Sequence, residues 1–179
     1  MKIATHNSAT GERGNGVLSW LVNPFSKCQR KTLIEQYDAG CRYFDLRVRV
    51  KLGGWVFAHG LWESKKSVFK LLDELDRHAY KCGEKCYISL TYEGDSECVL
   101  VLCSIVADTF GWLIVTDVNV KKPKWKCLAT HTSVPVKQAF LPLDGSTWHT
   151  YLPIPWLWDK IYYNRVNFSN EHFTMVDFL

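Results

Sequence analysis

Residues 43–50 set the first limit on the fold. Phe44, Leu46, Val48 and Val50 alternate with Asp45, Arg47 and Arg49, the period of two that marks a β-strand. One side of this strand is apolar and the other carries three charges, so the charged side must face something polar. Buried charge without a partner or a task is costly. Gly53-Gly54 follows, flanked by Val50 and by Trp55-Val56-Phe57. That pattern predicts a hairpin turn returning the chain to His59-Gly60, towards the charged strand.

Elements on either side fall into an order. Lys2 to Thr5 reads as a short strand, and the polar, Gly-rich stretch Asn7 to Gly16 is read as a break in regular structure. Leu33, Ile34 and Tyr37 have helical spacing over 32–39, with Gly40 as a left-handed stop. Val68, Leu71, Leu72, Leu75 and Ala79 predict a helix over 67–80 that ends near Gly83, and Tyr87 to Tyr92 predicts a strand. A second strong helix carries Val99, Leu100, Cys103, Val106 and Ala107 between a Ser96 cap and Gly111. Trp112 to Val118 is another strand. Strand, helix, strand, helix, strand favours a parallel sheet with crossover helices. Further on the pattern weakens: 125–130 reads as a strand, 135–163 has no clear period, and Phe173 to Leu179 reads as a final strand.

At 179 residues and 47% hydrophobic content, the chain is expected to form a single domain, 1–179, with its own buried core. A formal net charge of +4 is too mild and dispersed to make nucleic acid the main partner, and leaves only weak attraction to anionic surfaces. Seven cysteines, mostly in apolar segments, are read as reduced and buried. Cys82 and Cys86 resemble half a metal site, but no second close pair completes it. The first residues form no signal peptide and nothing approaches a membrane-spanning run, so a soluble, cytoplasmic chain is expected; a secreted chain trimmed of its leader would look the same.

Three segments carry a family resemblance: Thr5-His6-Asn7-Ser8; then Gln36-Tyr37-Asp38-Ala39-Gly40-Cys41-Arg42-Tyr43-Phe44-Asp45-Leu46-Arg47; then Ala58-His59-Gly60. In letters, order and spacing they resemble the front half of the catalytic domain of phosphatidylinositol-specific phospholipase C, within the phospholipase C-like phosphodiesterase superfamily. Met175-Val176-Asp177-Phe178 resembles the last barrel strand of the bacterial members. The resemblance implies an α/β fold, a TIM-type (β/α) barrel. A standard barrel of this kind takes roughly 250 residues, so a small, distorted or incomplete one is expected.

The resemblance also implies a phosphodiesterase, a phosphoric diester hydrolase or lyase, in which a neighbouring substrate hydroxyl is the nucleophile and a cyclic phosphate the first product. His6 is then the general base, His59 the general acid, and Asp177 the carboxylate that orients the base. Arg47 stands where calcium-dependent members have an acidic ligand and the metal-independent bacterial members have an arginine. A guanidinium can fork onto two phosphate oxygens without a metal, so no cofactor is expected, with calcium the less favoured alternative. Asp45, on the same side of its strand as Arg47, is expected to hold Arg47 or His59. Asn7, Glu93 and His131 are expected at the substrate. Asn7 matches the calcium-dependent branch, which keeps open a metal role for Asn7, Asp45 and Glu93.

Taken singly, each residue has a plainer reading. A histidine is most often structural or exposed, an aspartate near a C-terminus usually lies at the surface, and an Asp-Leu-Arg strand is commonly a solvated salt-bridge ladder. Joint occurrence lifts His6, Asp45, Arg47 and His59 above that. The expected partner is a phosphodiester small molecule or lipid head group, met by a monomer. Residues 151–158, dense in Trp and Pro, fit rings plugging a short barrel better than a rim touching a membrane. Two other functions compete: a metal-dependent glycerophosphodiester or sphingolipid phosphodiesterase, and a non-catalytic module that binds phosphate or a lipid head group. The first would need a paired acid where Arg47 falls, and retention of both histidines argues against the second.

Overall fold

A computed structural model of the chain describes residues 1–93, 98–120, 129–130, 136–138 and 170–176. The anticipated strand at 43–50 is the spine of the sheet. It runs as β2 (Cys41–Lys51) beside β1 (Ile3–Thr5) and β5 (Cys86–Tyr92), parallel to both. Its other partner, β3 (Gly54–His59), is antiparallel through the Gly53-Gly54 turn, and β4 (Trp62–Ser67) extends that hairpin. The parallel path continues from β5 to β6 (Leu113–Val120), which β7 (Ala129–Thr130) pairs antiparallel. On the other flank β1 pairs with β9 (Phe173–Val176), and β9 with β8 (Val136–Gln138), both parallel. The order β7-β6-β5-β2-β1-β9-β8 leaves the sheet unclosed among the described residues.

Among the described residues, four helices accompany these strands: α1 (Gly16–Ser26), α2 (Leu33–Asp38), α3 (Val68–Cys82) and α4 (Cys98–Thr109). The caps follow the sequence signals. Thr32 and Glu35 form a reciprocal capping box at α2, Gly40 is left-handed at φ 96° beyond it, Ser67 accepts from the Lys70 N–H at the start of α3, and Gly83 closes α3 at φ 72°. Phe44, Leu46 and Val48 pack with Leu72, Leu75, Ile88, Leu90, Leu102 and Val106 into the main core. Each such side chain contributes about 1.5–3 kcal/mol of transfer free energy. The opposite face of the spine carries the odd-numbered residues of β2. There Ala4, Tyr43, Phe173 and Met175 form a second cluster, with Phe173 tilted against Tyr43 and edge-on to Tyr87. Asp45 and Arg47 stand above this aromatic floor on the same face of the strand.

Several expectations change. Residues 8–11 of the supposed break form a 3-10 turn, and α1 follows directly from Gly16. Strand β4, which was not anticipated, joins the hairpin. Cys82 is exposed at the end of α3, whereas Cys28, Cys41, Cys86 and Cys103 are buried; burial pushes the Cys41 and Cys103 thiols up to about 12. His131, Asp177, Ser96 and the stretch 151–158 lie outside the described residues.

Candidate active site

The site begins where β1 ends. His6 follows the strand, and Asn7 adopts a left-handed conformation (φ 44°, ψ 47°) that turns the chain into the 3-10 turn. That corner is fixed from behind: the Thr10 hydroxyl donates to the Asn7 carbonyl and accepts from the N–H groups of Cys28 and Gln29. The fully buried Gln29 amide donates to the His6 carbonyl (3.1 Å), and Gln36 donates to that of Ser8 (2.8 Å). Backbone position at His6 is thus set by side chains from two later segments.

His59 comes from the end of β3. Its Nδ1 lies 2.6 Å from the carbonyl oxygen of Ser26, the last residue of α1. A carbonyl only accepts, so Nδ1 carries the proton and Nε2 is the reactive nitrogen. Both rings converge on one group: the Asn7 Nδ2 lies 3.1 Å from His6 Nε2 and 3.3 Å from His59 Nε2. Arg47 Nη2 donates to His6 Nε2 at 3.1 Å. An amide N–H and a guanidinium can only donate, so both Nε2 atoms present lone pairs. Burial is the main cause holding the His59 pKa below its ordinary value, reinforced by Arg47 and His6 and opposed by the Ser26 hydrogen bond and Glu93. The Asn7 Oδ1 is buried and has no hydrogen-bond partner among the described residues.

The carboxylates divide the remaining work. Asp45 was expected to hold Arg47 or His59, but its contacts go elsewhere: Oδ2 accepts from the Asn7 N–H (3.2 Å) and lies 3.8 Å from His6 Nε2, while Oδ1 accepts from Ser89. The reason is register, since β1 sits beside β2 with Thr5 opposite Phe44, which brings residues 6 and 7 next to Asp45. Glu93, just past β5, accepts from Arg49 Nη2 (3.0 Å) and the Gly60 N–H (3.1 Å), and its other oxygen lies 3.7 Å from Arg47. It ties the β3–β4 turn, and with it His59, to the charged face of β2. Arg49 completes this frame, bonding also to Glu63 and the Gly60 carbonyl.

Sequence reasoning missed several contributors, Arg49, Ser26 and Gln29 among them. Arg49 carried a signal, being two residues beyond Arg47 on the same strand face. Ser26 and Gln29 carried none, because one acts through its carbonyl and the other on a backbone atom of a distant segment. Among the described residues no group of three or more His, Cys, Asp or Glu side chains is placed to hold a metal ion. Glu93, one member of the alternative metal set, is turned towards two guanidinium groups.

A mixed sheet with helices on its outer face and polar groups at the carboxyl ends of its parallel strands is a distorted TIM-type (β/α) barrel. Known structures make the class narrower. The phosphatidylinositol-specific phospholipase C from Listeria monocytogenes matches 99% of this chain and 88% of its own length, with a TM-score of 0.68 and 16% identity. Two mutant forms of the Staphylococcus aureus enzyme match 98% of this chain and 84% of theirs, at TM-scores of 0.61 and 0.59 and identities of 13% and 15%. The chain therefore has the fold of the bacterial phosphatidylinositol-specific phospholipases C, as the three sequence segments led one to expect. No protein-family model matches the sequence, and no curated protein matches it.

Proposed function

We propose that this chain, as one domain, is a phosphodiesterase that cleaves by paired histidine acid-base catalysis. The observation that carries the reading is the convergence of His6 Nε2, His59 Nε2 and the Arg47 guanidinium at one end of the barrel. His6, with a lone pair on Nε2 and Asp45 beside it, accepts the proton of a substrate hydroxyl. That oxygen attacks the phosphorus and a cyclic phosphodiester forms. His59, protonated on Nε2 when substrate is bound, gives its proton to the leaving oxygen. Arg47 stabilises the charge that develops on the phosphoryl oxygens. No metal is needed in this scheme, because the guanidinium supplies the positive charge.

The free site holds His59 neutral, whereas an acid must carry a proton. An anionic phosphodiester beside the ring supplies the missing stabilisation and raises its pKa. The substrate itself therefore loads the acid.

The solved structures that share this fold are phosphatidylinositol-specific enzymes, which favours a lipid head group as substrate, and one surface feature supports a lipid interface. Helix α1 is inverted: Ser19 and Ser26 are buried while Val17, Leu18, Trp20, Leu21 and Phe25 are exposed, Trp20 by 73%. The Ser19 hydroxyl bonds both the carbonyl and the N–H of Glu63, which fixes the polar side inward. Residues 13–34 contain Arg13, Lys27, Arg30 and Lys31 and no acid. An apolar ridge flanked by cations suits an anionic lipid surface. No helix among the described residues is long and apolar enough to cross a membrane.

A phosphorus NMR time course with phosphatidylinositol and with glycerophosphoinositol, each with and without EDTA, tests the reaction. A cyclic phosphate formed in EDTA is expected. Turnover only with an added divalent ion would transfer the chain to the metal-dependent class, and no turnover of either substrate would favour the binding module.

A further inference from the structure

Away from the histidines, the far end of β4 gathers positive charge against the usual rules of local stability. Gly14 bridges Ser64 antiparallel, and the Arg13 carbonyl accepts from the Lys65 N–H at 2.8 Å, so Arg13 and Lys65 stand directly opposite each other. Like charges in that relation repel. Lys70 lies in the first turn of α3, at the positive end of the helix dipole, and that turn contains no acid. Lys66 completes the group and is paired with Glu74 (2.7 Å). Arg13, Lys65 and Lys70 have no carboxylate within ion-pair distance among the described residues.

These side chains share one concavity of about 470 Å³, lined by Glu12, Arg13, Lys65, Lys66, Ser67 and Lys70. The acid among these lining residues is already engaged: Glu12 accepts from the Leu33 N–H at 2.9 Å, and burial pushes its carboxyl above the usual range. The loop that carries Arg13 is pinned, since a Cβ at Gly11 would lie 1.8 Å from the Lys31 carbonyl oxygen and one at Gly14 would lie 2.8 Å from Trp62 Nε1. The backbone that carries Arg13 is therefore fixed beside β4.

We propose that this concavity is a second anion site, distinct from the His6–His59 centre, that takes a ligand bearing several phosphate oxygens. Val56 pairs with Ser67 whereas His59 pairs with Trp62, so three residues of β3, roughly 10 Å of strand, separate the two sites. A polyphosphorylated ligand offers enough oxygens to meet Arg13, Lys65, Lys66 and Lys70 at once, and binding relieves the repulsion that the fold imposes. The same chemistry is presented by a phosphorylated lipid head group and by a soluble polyphosphate.

Isothermal titration with inorganic tripolyphosphate, and flotation with phosphatidylcholine vesicles containing phosphatidylinositol 4-phosphate, separate these sources. The full chain is compared with Lys65→Glu/Lys70→Glu and with Lys81→Glu/Lys85→Glu, which changes charge equally at the other end of α3. Tripolyphosphate should bind one to one, about tenfold or more weakly in the first variant and within about twofold of the parent in the second. Vesicle binding lost in the first variant and displaced by tripolyphosphate assigns a lipid source, and tripolyphosphate binding without flotation assigns a soluble one. Equal losses in both variants, or no tripolyphosphate binding by the parent, would overturn the site.

Discussion

At the scale of single residues, the two imidazoles carry unequal burdens. His6→Ala and His59→Ala are each expected to lower turnover by at least about a hundredfold if they move protons; near-normal single-turnover rates would remove that residue from the mechanism. The His59 environment gives a separate test with a definite sign. Its native pKa lies below the ordinary histidine value of 6.5, so between the two values the unfolded chain binds the proton and the native chain does not. Its contribution to stability is full above about pH 6.5 and is lost as pH falls through the native value. Proton NMR should show this ring titrating below 6.5 in the free protein. Asn7→Asp, which puts a charge where the amide now meets both Nε2 atoms, should raise that pKa. An unchanged titration would mean that Asn7 has no electrical influence on the pair. Asn7 shows how far sequence reaches at this scale: its place beside His6 was legible, but its bridging position depends on a positive φ and on the β1–β2 register.

Single elements differ in how openly they announce themselves. Helix α3 was readable because its apolar residues 68, 71, 72, 75 and 79 all face the core, between a serine cap and a glycine stop. Helix α1 was not, because most of its apolar side chains face outward and its buried side is seated by Ser19, a residue of weak helix preference, beside a partly buried Val22. Hydrophobic periodicity reports burial, and it fails where burial is reversed. Trp20→Ala/Leu21→Ala should therefore weaken sedimentation with anionic vesicles about tenfold or more, with thermal stability held within about 0.5 kcal/mol. Unchanged sedimentation would detach α1 from any membrane role. The capping box of α2 offers the opposite case, a local signal with a local cost. Thr32→Ala should remove about 1 kcal/mol in urea unfolding, and no loss would show that the cap is redundant with the packing of Leu33 and Tyr37.

For the whole molecule, parallel order could be inferred from alternating strands and helices, but closure could not, because which edge strands meet is decided by tertiary packing rather than by any local pattern. The structure gives β1 a neighbour from each end of the chain: β2 on one side and β9, some 170 residues later, on the other, with Thr174 donating to the Lys2 carbonyl at 2.9 Å. A chain shortened to end at His172 should lose hydrogen-exchange protection at Ile3–Thr5 while α3 and β5 keep theirs; retained protection would make β9 dispensable. Forming the β1–β9 ladder brings together segments about 170 residues apart, so its loop-closure entropy is large and this seam should be among the last contacts made in refolding.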